Sequence, residues 1–261
     1  MEKRVEDLTQ DKHSKTQKTL KNSSVKSKLQ KSRSKLLSNY YGNPIKDLKL
    51  ICITGTAGKS ITAHFLHEIL RAASQHVAIL ASDSEIKAGM LHKFFADAWK
   101  AGANYVIVTA PAESLKKDVF YGLPIHVAAL TNFLDSSLAS PTPEEFIKDS
   151  STLFDMSPEI VVLNTDDLYY PQFKECTGKK ETLTFGHDRS ANLRIENTTL
   201  YKRGVEATFS LGSSFFTAAS FLTGEPIVSY MACAAAIATA LKIDNSVISE
   251  GLANYNPEEA S

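Results

Sequence analysis

From about residue 50 onward, apolar residues fall into two alternating rhythms. Leu50-Ile51-Cys52-Ile53, His76 to Ala81, Asn104 to Thr109 (NYVIVT), His126 to Thr131 (HVAALT) and Glu159 to Asn164 (EIVVLN) are short and apolar almost throughout. Such runs predict strands buried on both faces. Between them the apolar positions recur three or four apart. Ile61, Phe65, Leu66, Ile69 and Leu70 predict one helix, and Met90 to Ala101 a second, with Leu91, Phe94, Phe95, Ala98 and Trp99 inward. Pro141-Thr142-Pro143 opens a third, whose first turn carries Glu144 and Glu145 where the helix dipole favours acids. Strands alternating with helices predict an α/β fold, a mainly parallel sheet flanked by helices.

The rhythm then changes. Thr182 to Phe185, Leu193 to Tyr201, Val205 to Leu211 and Phe215 to Phe221 read as consecutive strands with short turns such as Lys202-Arg203-Gly204. They predict a small antiparallel β layer near the C-terminus. An alanine-rich helix, Val228 to Leu241, and a short one, Asn245 to Ala253, follow. The run Ile227 to Leu241 is the longest apolar stretch, too short for a transmembrane segment, and is expected to be a buried helix.

Composition adds one asymmetry. The 261 residues carry equal numbers of acidic and basic side chains, yet Lys12 to Lys35 holds nine Lys or Arg and no Asp or Glu. With so few apolar residues this stretch cannot offset its ordering entropy, so residues 1–38 are expected to be a disordered basic tail, with folded structure beginning near Leu36. The tail's charge suits an anionic surface, an acidic protein or nucleic acid, but it has no aromatic residue for base stacking. Cys52, Cys176 and Cys233 are too scattered for a disulfide framework or a metal site. With no visible signal peptide, a cytoplasmic location is expected.

The candidate chemistry lies in Ile51 to Ser60, ICITGTAGKS. A strand, a glycine-bearing turn, Lys-Ser and a helix make a phosphate-binding loop. Backbone N–H groups of Gly55, Thr56, Ala57 and Gly58 surround an anion, Lys59 reaches the terminal phosphates, and Ser60 holds Mg²⁺. The general pattern has a further glycine where this chain has Ile53. Asp166 and Asp167 at a strand end, and Asp135, are candidates for metal or nucleotide contacts, although Asp at such an end often caps a helix. His64 and His67 lack a second ligand at a useful spacing and are expected to be packed or solvated.

The order of these pieces resembles the central ATP-binding domain of the Mur ligases, most nearly the branch that adds the third residue of the peptidoglycan stem peptide. Tyr40-Tyr41-Gly42-Asn43-Pro44 looks like that branch's linker into its nucleotide domain. Thr54 to Ser60 matches the family's T-G-T-x-G-K-S/T, which also lacks the earlier glycine. Thr131-Asn132, Leu153-Phe154, Asn164-Thr165-Asp166-Asp167 and Thr184-Phe185-Gly186 follow in family order. The resemblance runs from about Ser38 to Asn254 and implies ATP and Mg²⁺, a carboxylate phosphorylated to an acyl phosphate, and attack by an amine. It adds Asn132 to the candidate nucleotide or metal contacts.

Departures from the family accumulate around the loop. Thr109 stands where the family has a metal-binding Glu, and Glu113, four residues later, is a candidate substitute that falls beyond Pro111 on a different local path. Asp135 is followed by Ser136-Ser137-Leu138, without the metal-binding His that the family has in that segment. Ser150 takes the place of a carbamylated Lys, with Lys148 two residues away, and Tyr230 replaces an Asn that contacts the base. Residues 39–261 are expected to be the central domain, without the family's UDP-binding and C-terminal ligase domains. Two functions follow. One is an ATP-binding Mur-ligase-like protein that does not complete acid–amino acid ligation alone. The other is a pseudoenzyme serving as an interaction or regulatory module, toward a cell-wall ligase or other acidic partner. A third expectation, an unrelated phosphotransferase, predicts lid arginines, and only Arg71 lies near the loop.

Overall fold

The computed structural model describes residues 32–133, 142–156 and 158–256. Most of the basic tail therefore lies outside the described residues. Residues 32–40 are helical (α1), and Ser38 is buried with its hydroxyl donating to Asn43 Oδ1 at 2.6 Å.

Among the described residues nine strands form one sheet: β1 (Lys49–Thr54), β2 (Val77–Leu80), β3 (Tyr105–Thr109), β4 (Ile125–Leu130), β5 (Ile160–Asn164), β6 (Glu181–Gly186), β7 (Leu193–Tyr201), β8 (Gly204–Leu211) and β9 (Ser214–Ser220). Their spatial order is β2-β3-β1-β4-β5-β6-β7-β8-β9. Pairing is parallel from β2 through β7 and antiparallel from β7 to β9. The antiparallel strands thus extend the main sheet. Thr182 to Phe185, grouped by sequence with them, pairs parallel with β5.

The twofold alternation of strand side chains builds two cores. Ile51 and Ile53 of β1 and Tyr105 and Ile107 of β3 enter one, while Leu50 and Cys52, Val106 and Val108 enter the other. Helices α2 (Lys59–Ala72), α7 (Pro226–Ala240) and α8 (Asn245–Asn254) cover the first face. The second is covered by α3 (Ala88–Lys100), α5 (Pro143–Asp155) and α6 (Tyr170–Thr177), with the short α4 (Ala112–Lys116) beside them. Phe65, Leu66, Ile69 and Leu70 of α2 have no exposed surface. Each contributes about 1.5–3 kcal/mol through burial, fixing where the Gly55–Ser60 loop ends. Helix α7 buries eleven of its fifteen residues, because its alanines let α2 and the sheet approach from opposite sides.

Most side-chain expectations agree with the structure. Trp99 does not: it is 47% exposed at the end of α3, and the buried position on that helix goes instead to His92. Helix α5 begins with a reciprocal cap between Thr142 and Glu145, at 3.3 and 3.1 Å. Among the described residues no helix is long and apolar enough to cross a membrane.

Candidate phosphate-binding site

Strand β1 lies between β3 and β4, where the chain order reverses direction across the sheet. Open parallel sheets bind ligands in the crevice that such a reversal leaves beyond the strand ends. The loop from Gly55 to Ser60 lies there. Gly55 has φ 143° and Gly58 φ 77°. A β-carbon at Gly55 would collide with the Thr131 hydroxyl and one at Gly58 with the Tyr230 ring, so both positions demand glycine.

The end of β4 holds this loop in shape. The Thr131 hydroxyl donates to the Ala57 carbonyl at 2.7 Å. Asn132 Oδ1 accepts from both the Thr56 hydroxyl and the Ala57 amide at 3.0 Å, and its carbonyl accepts from the Thr56 amide at 3.0 Å. Lys59, 8% exposed, donates to the Gly55 carbonyl at 3.0 Å and folds across the loop. The Thr56 and Ala57 amides are thus taken up by Asn132, while the positive end of α2 and the buried Lys59 ammonium lie side by side, an arrangement that suits an anion.

A carboxylate that sequence reasoning missed stands at the rim. Asp83 Oδ1 accepts from the Ser60 hydroxyl at 3.2 Å and lies 3.6 Å from Lys59 Nζ. The only signal for it was an acidic residue in the short segment after the second strand, three residues beyond Leu80. Thr109, fully buried, carries no charge into the site. Its hydroxyl accepts from the Ser82 amide and donates to the Ser82 carbonyl. Glu113 is exposed on α4, away from this bonding.

Other candidates have structural partners. Asp166 accepts from the His187 amide at 2.8 Å and pairs with its ring at 2.7 Å, tying the end of β5 to the end of β6. Asp167 accepts from the Phe133 and Tyr169 amides. Burial raises the Asp167 carboxyl above the usual range, against the pull of those two amides. Asp135 lies outside the described residues. Ser150 is fully buried with no partner for its hydroxyl among the described residues, and Lys148 is exposed on the same helix.

Tyr230, 8% exposed, lies against Gly58 within the first core, and burial raises its phenol while a hydrogen bond to Asn132 lowers it. His64 stacks on Tyr255 at 5.4 Å, and His67 pairs with Glu68 at 2.9 Å, so both are packing residues. The three cysteines are free thiols, and burial raises all three.

Residues 53–238 match the Mur ligase middle domain, and the chain belongs to that family. A relative from Clostridium botulinum (strain ATCC 19397 / Type A), UDP-N-acetylmuramoyl-L-alanyl-D-glutamate–2,6-diaminopimelate ligase, is 30% identical over 183 residues. That match covers 65% of this chain and 38% of the relative, so the chain spans less than half its length. A solved structure of a ligase with the same name superposes with TM-score 0.78 at 20% identity, covering 87% of this chain and 50% of that one. The MurF ligase of Thermotoga maritima in complex with ADP superposes with TM-score 0.61 at 15% identity, covering 83% and 52%. At those identities the solved structures establish the shared fold.

Proposed function

We propose that this chain binds ATP through Gly55, Thr56, Ala57, Gly58, Lys59 and Ser60, as the nucleotide-handling part of a cytoplasmic carboxylate–amine ligation in peptidoglycan precursor synthesis. The 261 residues are not expected to complete that ligation alone. One observation carries the reading: Lys59 is buried and held across a glycine loop whose shape is fixed from β4. The ammonium is held by the Gly55 carbonyl and lies 3.6 Å from Asp83 beside the N-terminus of α2, where a phosphate would add a charge-assisted contact.

Asn132 acts here as a positioning residue: by accepting from the Thr56 and Ala57 amides and the Thr56 hydroxyl it fixes the shape of the loop before Lys59 and Ser60. Asp166 and Asp167 shape the neighbouring strand ends. The Ser60 hydroxyl is a hard oxygen donor suited to Mg²⁺, which when bound neutralises phosphate charge.

A second reading has its own support. The hydroxyl of Thr109 is committed to Ser82, Tyr230 packs on the loop, and Ser150 replaces a lysine. In that reading the fold is a pseudoenzyme, an interaction module toward a cell-wall ligase, and the basic residues 1–38 reach an acidic partner or an anionic surface. Thermal unfolding with millimolar ATP and Mg²⁺ separates the two. A ligand that binds only the native state raises the melting temperature, by about 2.7 kcal/mol of stability at a hundred times Kd. The first reading predicts a rise that disappears in Lys59→Ala. No rise favours the second.

A further inference from the structure

We infer that Asp83, carried to the rim of the glycine loop by the segment after β2, anchors with Ser60 the divalent cation of a bound nucleotide. This rests on the nucleotide-binding reading and adds to it a residue and a role. Strands β2 and β3 are neighbours, with Leu80 opposite Val108. Beyond β2 the chain is fixed at two points: the Thr109 hydroxyl holds Ser82, and the Ser114 hydroxyl accepts from the Ile86 amide at 2.8 Å. Between those points Asp83 is carried to the rim of the phosphate loop, with its side chain 74% exposed.

The spacing fits a metal edge. Two neighbouring oxygens of an octahedral Mg²⁺, each about 2.1 Å from the ion, lie about 3 Å apart. Ser60 Oγ and Asp83 Oδ1 are 3.2 Å apart. Both are hard oxygen donors, and Mg²⁺ at a nucleotide site takes one or two protein oxygens and completes its shell with phosphates and water. Charge points the same way. A carboxylate at a phosphate cradle repels a bare polyanion, and a shared divalent cation turns that repulsion into attraction.

The test is calorimetric titration of ATP, with and without Mg²⁺, into the wild-type chain and Asp83→Asn. Mn²⁺ electron paramagnetic resonance with a non-hydrolysable ATP analogue provides a second readout. Asp83→Asn alters an exposed side chain, and thermal unfolding confirms that the fold is kept. The expected result is that Mg²⁺ strengthens ATP binding by the wild type, that this enhancement falls about tenfold or more in Asp83→Asn, and that the bound Mn²⁺ signal weakens with it. An unchanged enhancement overturns the assignment of Asp83 and leaves nucleotide binding standing. ATP binding that tightens equally with and without Mg²⁺ in Asp83→Asn also overturns it, because Asp83 would then be only a counter-charge to Lys59. Failure of the wild type to bind ATP under either condition overturns the nucleotide reading, and this inference with it.

Discussion

The hydroxyl of Thr109 accepts a hydrogen bond from the Ser82 amide at 2.7 Å and returns one to the Ser82 carbonyl at 2.8 Å. The end of β3 is thereby committed to holding the next loop in place. Thr109→Val keeps the shape and leaves both Ser82 groups without that partner. Unpaired groups of this kind cost about 1–3 kcal/mol, so the urea midpoint should fall with the slope unchanged. An unaltered midpoint would show that water replaces the hydroxyl freely.

Asn132→Ala removes the acceptor shared by the Thr56 hydroxyl and the Ala57 amide. Two ordinary hydrogen bonds are worth about 1–3 kcal/mol together, or about tenfold or more in affinity. ATP binding should weaken by up to that factor, and the melting temperature should fall as well, since both bonds are present in the unliganded loop. A large loss of stability with unchanged affinity would make Asn132 a fold residue only.

Gly58→Ala meets two obstacles, the left-handed backbone and the Tyr230 ring. The substitution should destabilise by more than about 1 kcal/mol. In Tyr230→Ala the steric part is relieved and the backbone part remains, so a double-mutant cycle should return a favourable coupling. Strictly additive effects would mean that the ring moves aside without cost.

Much of this arrangement was legible in the chain because the glycine loop is local. Strand, glycines, Lys59, Ser60 and the amphipathic helix are contiguous, and each has a period or a residue type that declares it. The parallel strands were legible for a similar reason: burial on both faces leaves an unbroken apolar run. Trp99 misled because helical periodicity gives a face and not the extent of the neighbour that covers it. Thr182 to Phe185 misled because a strand's partner is set by crossover connections that no local pattern records. Asp83 was hidden for the same reason, since it meets Ser60 only through the pairing of β2, β3 and β1.

Burial holds the imidazoles of His64 and His92 below their usual 6.5, with His67 adding to the effect at His64 and Glu68 opposing it. Folding therefore favours the neutral rings. Between the lowered native value and 6.5 the unfolded chain binds more protons than the folded one, so stability rises with pH through that window and falls on acidification. Melting temperatures measured from about pH 5 to 7 should climb, and a His64→Gln, His92→Gln variant should show a flatter profile. An equal slope in the variant would assign the pH dependence to other groups.

The most direct measurement is isothermal titration of ATP with Mg²⁺ into the wild-type chain and into Lys59→Ala. Saturable binding at one site in the wild type, weakened at least about a hundredfold by loss of a buried, charge-assisted phosphate contact, is the result that the proposed function requires. Equal binding by both proteins, or none by the wild type, would contradict it and leave the glycine loop as a structural turn between β1 and α2.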